Sequence, residues 1–334
     1  MLRRIKLSNP HAKIFITGCY ALYDIESLKQ YADGFISMQD KKQKTLIFNK
    51  PKKDRVRTYI KIQDGCDEKC TYCISSRLRG KPYSKPMSHI EKELKYAYEQ
   101  GFKEVVLTGL NIMLYGLDIN TDFKTLLKRI NTIKNIPEIR LSSLEPRLLD
   151  FETIDIIRNG PFKPHFHIPV QTFSNKLLSI HKRGYTDKHI AALTQYIEQT
   201  FSMPGIGADI IAGLPFEDKK DHKKNLVFLN ELPFTYLHIF TFSKNPGTPA
   251  ANMPTIKDSI VKDRIRELKS LDERLRLRFK HLNAGKKQNV LMIKKNTGLS
   301  DNYLNVNTET TFPVGHIQKL LLYLKGQKLY GKYS

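Results

Sequence analysis

A chain of 334 residues is too long for one ordinary small domain and leaves room for two, or for a barrel with an appendage. Its 40% hydrophobic and 27% charged residues are globular in balance, and no apolar run approaches the ~20 residues of a membrane-spanning helix. Fifty-six Lys and Arg against 33 Asp and Glu leave a net charge of +23, which favours a polyanionic partner, most simply nucleic acid, although a merely basic surface is the plainer alternative.

The chain opens with "MLRRIKLSNPHAKIFITGCY", whose apolar stretch is broken by Asn9, Pro10, His11 and Lys13, so it does not read as a signal peptide. A cytoplasmic location with reduced thiols is expected. "KIFITGCY", "DIESLKQYA" and "GFISM" read as strand, helix, strand. Residues 1–54 are too few for a complete α/β domain, and they read as the remnant of a larger one that is truncated at its N-terminus. Residues 41–61 then carry nine basic side chains against Asp54 alone.

From about residue 55 short apolar runs alternate with amphipathic stretches. Strands are expected at 58–63, 104–109, 138–143, 165–170, 205–213 and 235–242, with helices near 88–100, 121–134, 148–159, 187–200 and 218–230. Six β-α units with right-handed crossovers predict an α/β fold whose parallel sheet curls into an open, partial (β/α)6 barrel over 55–284. Thr108, Asn111, Ser142, Ser143, Glu145 and Gln171 fall at strand C-terminal ends, where such barrels place their chemistry, though each alone also suits a turn or cap. A long helix is expected over 256–282. The lysine-rich last segment, 285–334, reads as a small β-domain of short strands.

Three of the four cysteines stand at C-x3-C-x2-C spacing: Cys66, Cys70 and Cys73. In a reducing compartment such a cluster points to metal or catalysis. A structural zinc site wants four ligands, and the nearest histidine, His89, is sixteen residues past Cys73. A redox C-x-x-C would leave Cys66 unexplained. Three thiolates without a fourth best suit a [4Fe–4S] cluster with one iron open to S-adenosylmethionine; zinc and chance clustering remain as alternatives. Tyr72 would pack on the adenine, or simply in the core.

With "YIKIQDGC", "CTYC", "VVLTGLNI", "LSSLEP", "HFHIPVQ", "GADIIAGLP", "YLHIFTFSKNPGTPA" and "GLSDNYLNV" in order, the chain from about Lys13 to Val306 resembles the radical S-adenosylmethionine methylthiotransferases. It most resembles the branch acting on threonylcarbamoyladenosine beside the tRNA anticodon. The resemblance implies a radical S-adenosylmethionine barrel whose Cys66, Cys70 and Cys73 hold a [4Fe–4S] cluster. It implies S-adenosylmethionine contacts from Tyr72, Thr108, Gly109, Asn111, Ser143, Glu145, Gln171 and Asp209. Radical activation of adenine C2 at position 37 follows, with an electron donor such as flavodoxin or ferredoxin, in a monomer with no membrane contact. A second [4Fe–4S] cluster is expected in the family; Cys19, in "TGCY", matches one of its three ligands, and no cysteine precedes it. Sulfur transfer by this chain is therefore expected to be incomplete.

The resemblance further implies a TRAM-like C-terminal domain gripping the tRNA anticodon stem-loop, for which the last segment looks short. Arg77, Arg79 and Lys81 would contact tRNA phosphates. Thr172-Phe173-Ser174 replaces the family's Ser-Gly-Ser, and Phe216 stands where the G-F-P-G-E turn has glycine, adding bulk near the expected cofactor face. The alternatives are an inactive tRNA-binding relative and a methylthiotransferase acting on a ribosomal-protein aspartate.

Overall fold

A computed structural model describes residues 2–18, 25–36 and 56–333. The N-terminal part holds α1 (Leu2–Ser8), β1 (Phe15–Ile16), α2 (Ile25–Lys29) and β2 (Gly34–Phe35). β1 and β2 pair in parallel, the arrangement a strand–helix–strand unit requires.

The central unit runs through β3 (Thr58–Lys61), β4 (Gln63–Asp64), α3 (Ser75–Arg79), β5 (Tyr83–Ser84), α4 (Met87–Glu99), β6 (Glu104–Thr108), α5 (Phe123–Asn131), β7 (Glu138–Leu141) and α6 (Phe151–Arg158). It continues through β8 (His165–Gln171), α7 (Asn175–Ile180), α8 (Asp187–Thr200), β9 (Gly205–Ala212), α9 (Lys219–Glu231), β10 (Tyr236–Thr241) and the long α10 (Asp258–Asn283). β3, β6 and β7 pair in parallel, as do β8, β9 and β10. The amide of Leu144 donates to the His167 carbonyl at 2.8 Å, linking the end of β7 to β8. Six parallel strands thus follow one another in chain order, with β3 and β10 at the two edges. This is the partial barrel that six β-α units predict.

The local sequence explains the elements. β9, "GIGADIIA", is nearly all buried, as expected of a strand covered on both faces. α4 buries Ile90, Leu94 and Ala97 at helical spacing. Asp122, Asp150, Thr186 and Asp218 each cap a helix start with a side-chain oxygen, and Asp218 completes a capping box with Asp221. No helix among the described residues is long and apolar enough to cross a membrane.

Two expectations need correction. The strand anticipated over 58–63 ends at Lys61, and β4 turns away to pair antiparallel with β5. Phe173 adds no bulk to a cofactor face: it is fully buried and stacks on Phe228 of α9, ring centres 5.0 Å apart. Phe216 is half exposed and sits at φ 66°, a left-handed conformation where glycine would be unstrained.

The last segment, though short, closes into a barrel of five strands: β11 (Lys287–Lys294), β12 (Thr297–Ser300), β13 (Asn305–Asn307), β14 (Ile317–Lys325) and β15 (Lys328–Lys332). Its loop after β12 grips the central barrel. Arg140 of β7 donates to the Asp301 carbonyl at 3.0 Å, and Asn302 donates to the Met203 carbonyl at 3.0 Å. Tyr303, at φ 75°, stacks on His165 of β8 with ring centres 4.1 Å apart.

Candidate active site

The three clustered cysteines lie on the loop between β4 and α3. Gly65, at φ 77°, starts this loop, and a side chain there would collide with the Lys81 carbonyl. The Cys66 amide donates to the Gly80 carbonyl at 2.9 Å, closing the loop's two ends. Asp64, buried beneath, accepts from the Gly65 amide and from Arg79 and Tyr83 at 2.8–3.0 Å. Thr71 meets Nδ1 of His181 at 2.6 Å, and its carbonyl accepts from Ala250 at 3.0 Å.

This framing turns all three thiols into one cavity of about 220 Å³ at the C-terminal ends of the strands. Its wall brings together Cys66, Cys70, Cys73, Tyr72, Asn111, Ser143, Glu145, Gln171 and Asp209, from five different loops and strands. Thr108 instead faces a second cavity. Gly109 brings the chain against Gln63, whose backbone oxygen would lie 2.8 Å from any added Cβ. Arg77 and Lys81 are exposed, whereas Arg79 is tied to Asp64. Cys19 lies outside the described residues.

Sequence reasoning passed over Arg183. Its Nη1 donates to the Cys70 sulfur at 2.8 Å, its Nη2 reaches both Glu145 oxygens at 2.8 and 2.6 Å, and its Nε donates to the Tyr185 hydroxyl at 2.8 Å. The only hint was a lone arginine in "HKRGYT", which carries no spacing signal. Burial pushes the Cys66 thiol up to about 11. It also raises Cys70, against the pull of Arg183. Burial likewise raises the Glu145 carboxyl, and the Arg183 guanidinium pulls it back part of the way. The Tyr72 hydroxyl is buried without a partner.

The donor set fits an iron–sulfur cluster with an open iron. Three soft thiol donors converge on one cavity with no fourth cysteine or histidine in its lining, so the four-cysteine or three-cysteine, one-histidine set of structural zinc is not present among the described residues.

The second cavity, about 390 Å³, opens inside the barrel and shares Ser143 and Asp209 with the first. Arg57, Tyr59, Thr108, His165, His167, Tyr236, His238 and Tyr303 line it, so a strand-borne set of polar and aromatic groups faces the lumen. Among the polar groups of this wall, Thr108, Ser142, Ser143 and Asp209 were anticipated.

Fold and site together define an enzyme built around a three-cysteine centre at the mouth of a partial barrel. Residues 60–229 match the Radical SAM superfamily. The chain is 32% identical over 347 residues to the threonylcarbamoyladenosine tRNA methylthiotransferase MtaB of Aquifex aeolicus, covering 95% of this chain and 85% of that one. It is 34% identical over 245 residues to the tRNA-2-methylthio-N(6)-dimethylallyladenosine synthase of Pelotomaculum thermopropionicum, covering 72% and 55%. The radical S-adenosylmethionine methyltransferase TsrM of Kitasatospora setae shares the fold at TM-score 0.51 and 19% identity, over 58% of this chain and 38% of that one. The chain belongs to the radical S-adenosylmethionine superfamily and, within it, to the methylthiotransferases that modify tRNA. Its cofactors are a [4Fe–4S] cluster and S-adenosylmethionine.

Proposed function

We infer that this chain methylthiolates C2 of the adenine in threonylcarbamoyladenosine at position 37, beside the tRNA anticodon. The observation that carries this choice of substrate is the lining of the lumen cavity. A dimethylallyl substituent is apolar and makes no use of the polar atoms this wall still offers a ligand, which are the remaining N–H groups of Arg57, the hydroxyls of Tyr59 and Tyr303 and the half-exposed His238 imidazole; His165, His167 and Tyr236 already bond one another and Asp209. A threonylcarbamoyl substituent brings a carboxylate, a hydroxyl and amides that can pair with them. Arg57 uses one of its N–H groups on Glu104, at 3.2 Å, and retains donors for a carboxylate. Tyr59, Tyr236 and Tyr303 offer rings for a base turned out of the anticodon loop.

Cys66, Cys70 and Cys73 would hold the cluster. When bound, the cluster supplies the electron that cleaves S-adenosylmethionine to a 5′-deoxyadenosyl radical. Arg183 ties the Cys70 sulfur to the Glu145 carboxylate by hydrogen bonds to both. Asn111, Ser143, Glu145, Gln171 and Asp209 present the polar groups that orient the cofactor. Residues 55–284 form the catalytic barrel in this reading, and the basic 285–334 barrel, with exposed Arg77 and Lys81, holds the RNA backbone. The enzyme acts as a cytoplasmic monomer with a flavodoxin- or ferredoxin-type electron donor.

The test uses reconstituted protein, S-adenosylmethionine, a reductant and two tRNAs, one bearing threonylcarbamoyladenosine and one dimethylallyladenosine. 5′-Deoxyadenosine and the methylthio nucleoside are assayed separately, because cofactor cleavage needs only the cysteine cavity. 5′-Deoxyadenosine release with the first tRNA in preference to the second is expected, whether or not sulfur transfer is completed to the methylthio nucleoside. Equal use of both, or preference for the second, overturns the substrate assignment.

A further inference from the structure

We propose that His167, Asp209 and His238 form a binding site for a divalent transition-metal ion on the wall of the lumen cavity, distinct from the three-cysteine centre. The three residues stand on neighbouring parallel strands: β8, β9 and β10. Asp209 is the register partner of His238, and His167 pairs with Gly207, two residues before Asp209 on the same face of β9. Rigid strands therefore aim all three side chains at one point in the lumen.

The geometry goes beyond an ordinary histidine–aspartate hydrogen bond. Nε2 of His167 lies 2.7 Å from Oδ1 of Asp209, and Nδ1 of His238 lies 3.4 Å from the same oxygen. The three donor atoms all lie within 4.8 Å of one another. Two N and O donors at ~2.0–2.1 Å from a tetrahedral metal stand about 3.4 Å apart, so small side-chain adjustments admit the ion. Two imidazoles converging on one carboxylate oxygen is a donor set for zinc or ferrous iron; magnesium and calcium prefer oxygen donors throughout.

The surroundings support the same reading. Metal-bound histidines are normally held through their other nitrogen. Nδ1 of His167 lies 3.0 Å from the Tyr236 hydroxyl, which in turn meets Nε2 of His165 at 2.8 Å. A metal ion would displace the proton shared by Nε2 of His167 and Asp209 at 2.7 Å, and Nδ1–H of His167 would then donate to the Tyr236 hydroxyl. Gly207 makes this possible, since a side chain there would collide with the Tyr236 ring. The two guanidiniums on the cavity wall, Arg57 and Arg140, share the Glu104 carboxylate, which offsets one of their two charges. With three protein ligands, the ion keeps a coordination position for water or for an oxygen of whatever enters the lumen.

The experiment uses the cluster-loaded protein, dialysed anaerobically against zinc and then analysed for metal. One zinc per chain beyond the cluster iron is expected, with an X-ray absorption shell of N and O at ~2.0–2.1 Å and no sulfur near ~2.3 Å. His238→Ala, at a half-exposed side chain that the fold does not need, should lose that equivalent. Tyr236→Phe keeps the ring and should weaken zinc binding by roughly 10–100-fold. The proposal is overturned by wild-type protein that takes up no zinc, by His238→Ala protein that retains it fully, or by a zinc–sulfur shell.

Discussion

Replacing Arg183 by methionine tests the electrostatic logic of the cysteine cavity. The Arg183 and Glu145 side chains are only 6% and 9% exposed, so the variant keeps apolar bulk but strands a buried carboxylate. Breaking a buried pair from one side costs about 3–5 kcal/mol. Glu145 can escape by taking up a proton, and that route sets a ceiling. From an unfolded value of about 4.3, protonation at pH 7 costs about 2.7 units, or ~3.7 kcal/mol, and at pH 5 only ~1 kcal/mol. Burial already raises this carboxyl with Arg183 present, and without the guanidinium it rises further. A folded value above the unfolded one means that stability is complete at low pH and lost as pH rises. The deficit of Arg183→Met should therefore be about 3–4 kcal/mol at pH 7 and shrink by some 2–3 kcal/mol at pH 5. The chain has no tryptophan, so urea unfolding is best followed by far-UV circular dichroism. Arg183→Met/Glu145→Gln should recover most of the loss. A deficit below ~1 kcal/mol at pH 7, or one that does not change with pH, refutes the reasoning.

Cys70→Ala should abolish the ~4 irons and the iron–sulfur absorbance of reconstituted protein; stoichiometric zinc in place of iron would contradict the donor-set argument. Phe173→Ala should cost about 3–5 kcal/mol of stability and leave S-adenosylmethionine affinity unchanged by calorimetry, because the ring faces the helix layer. Arg77→Glu should weaken tRNA binding without lowering the melting temperature, whereas Arg79→Glu should lower it by placing a carboxylate against buried Asp64. If six to ten phosphates are contacted, tRNA affinity should drop by about 10³–10⁵ between 50 and 200 mM salt in a filter-binding titration.

The six barrel strands and the helices between them are legible because long apolar runs at two distinct periods survive any tertiary context. Short elements are not. β4 and β5, with two residues each, carry no period, and α3 is a five-residue helix in a stretch dominated by cysteine and arginine. The cysteine centre is legible because its chemistry requires close spacing. Asn111, Ser143, Glu145, Gln171 and Asp209 are suggested by their position at strand ends or in motifs, and they share its cavity. Arg183 is not, since its role comes from a fold that brings residues 70, 145 and 183 together. The direction of Phe173 was also hidden: substitution for glycine says that bulk was added, and only packing shows that the ring turned from the loop after β8 onto Phe228 of α9.

Tyr303 gives the small C-terminal barrel a stake in the lumen cavity. Its ring lies against His165 and Tyr236, and the Arg140 guanidinium sits 5.2 Å from it. Part of the chamber wall thus belongs to a different module from the strands that carry the chemistry. The two modules are not independent: a grafted C-terminal barrel would import its own wall residue in place of Tyr303, while deleting the barrel would breach the chamber beside the histidines. On the function proposed above, selection of the RNA and selection of the base would be inherited together.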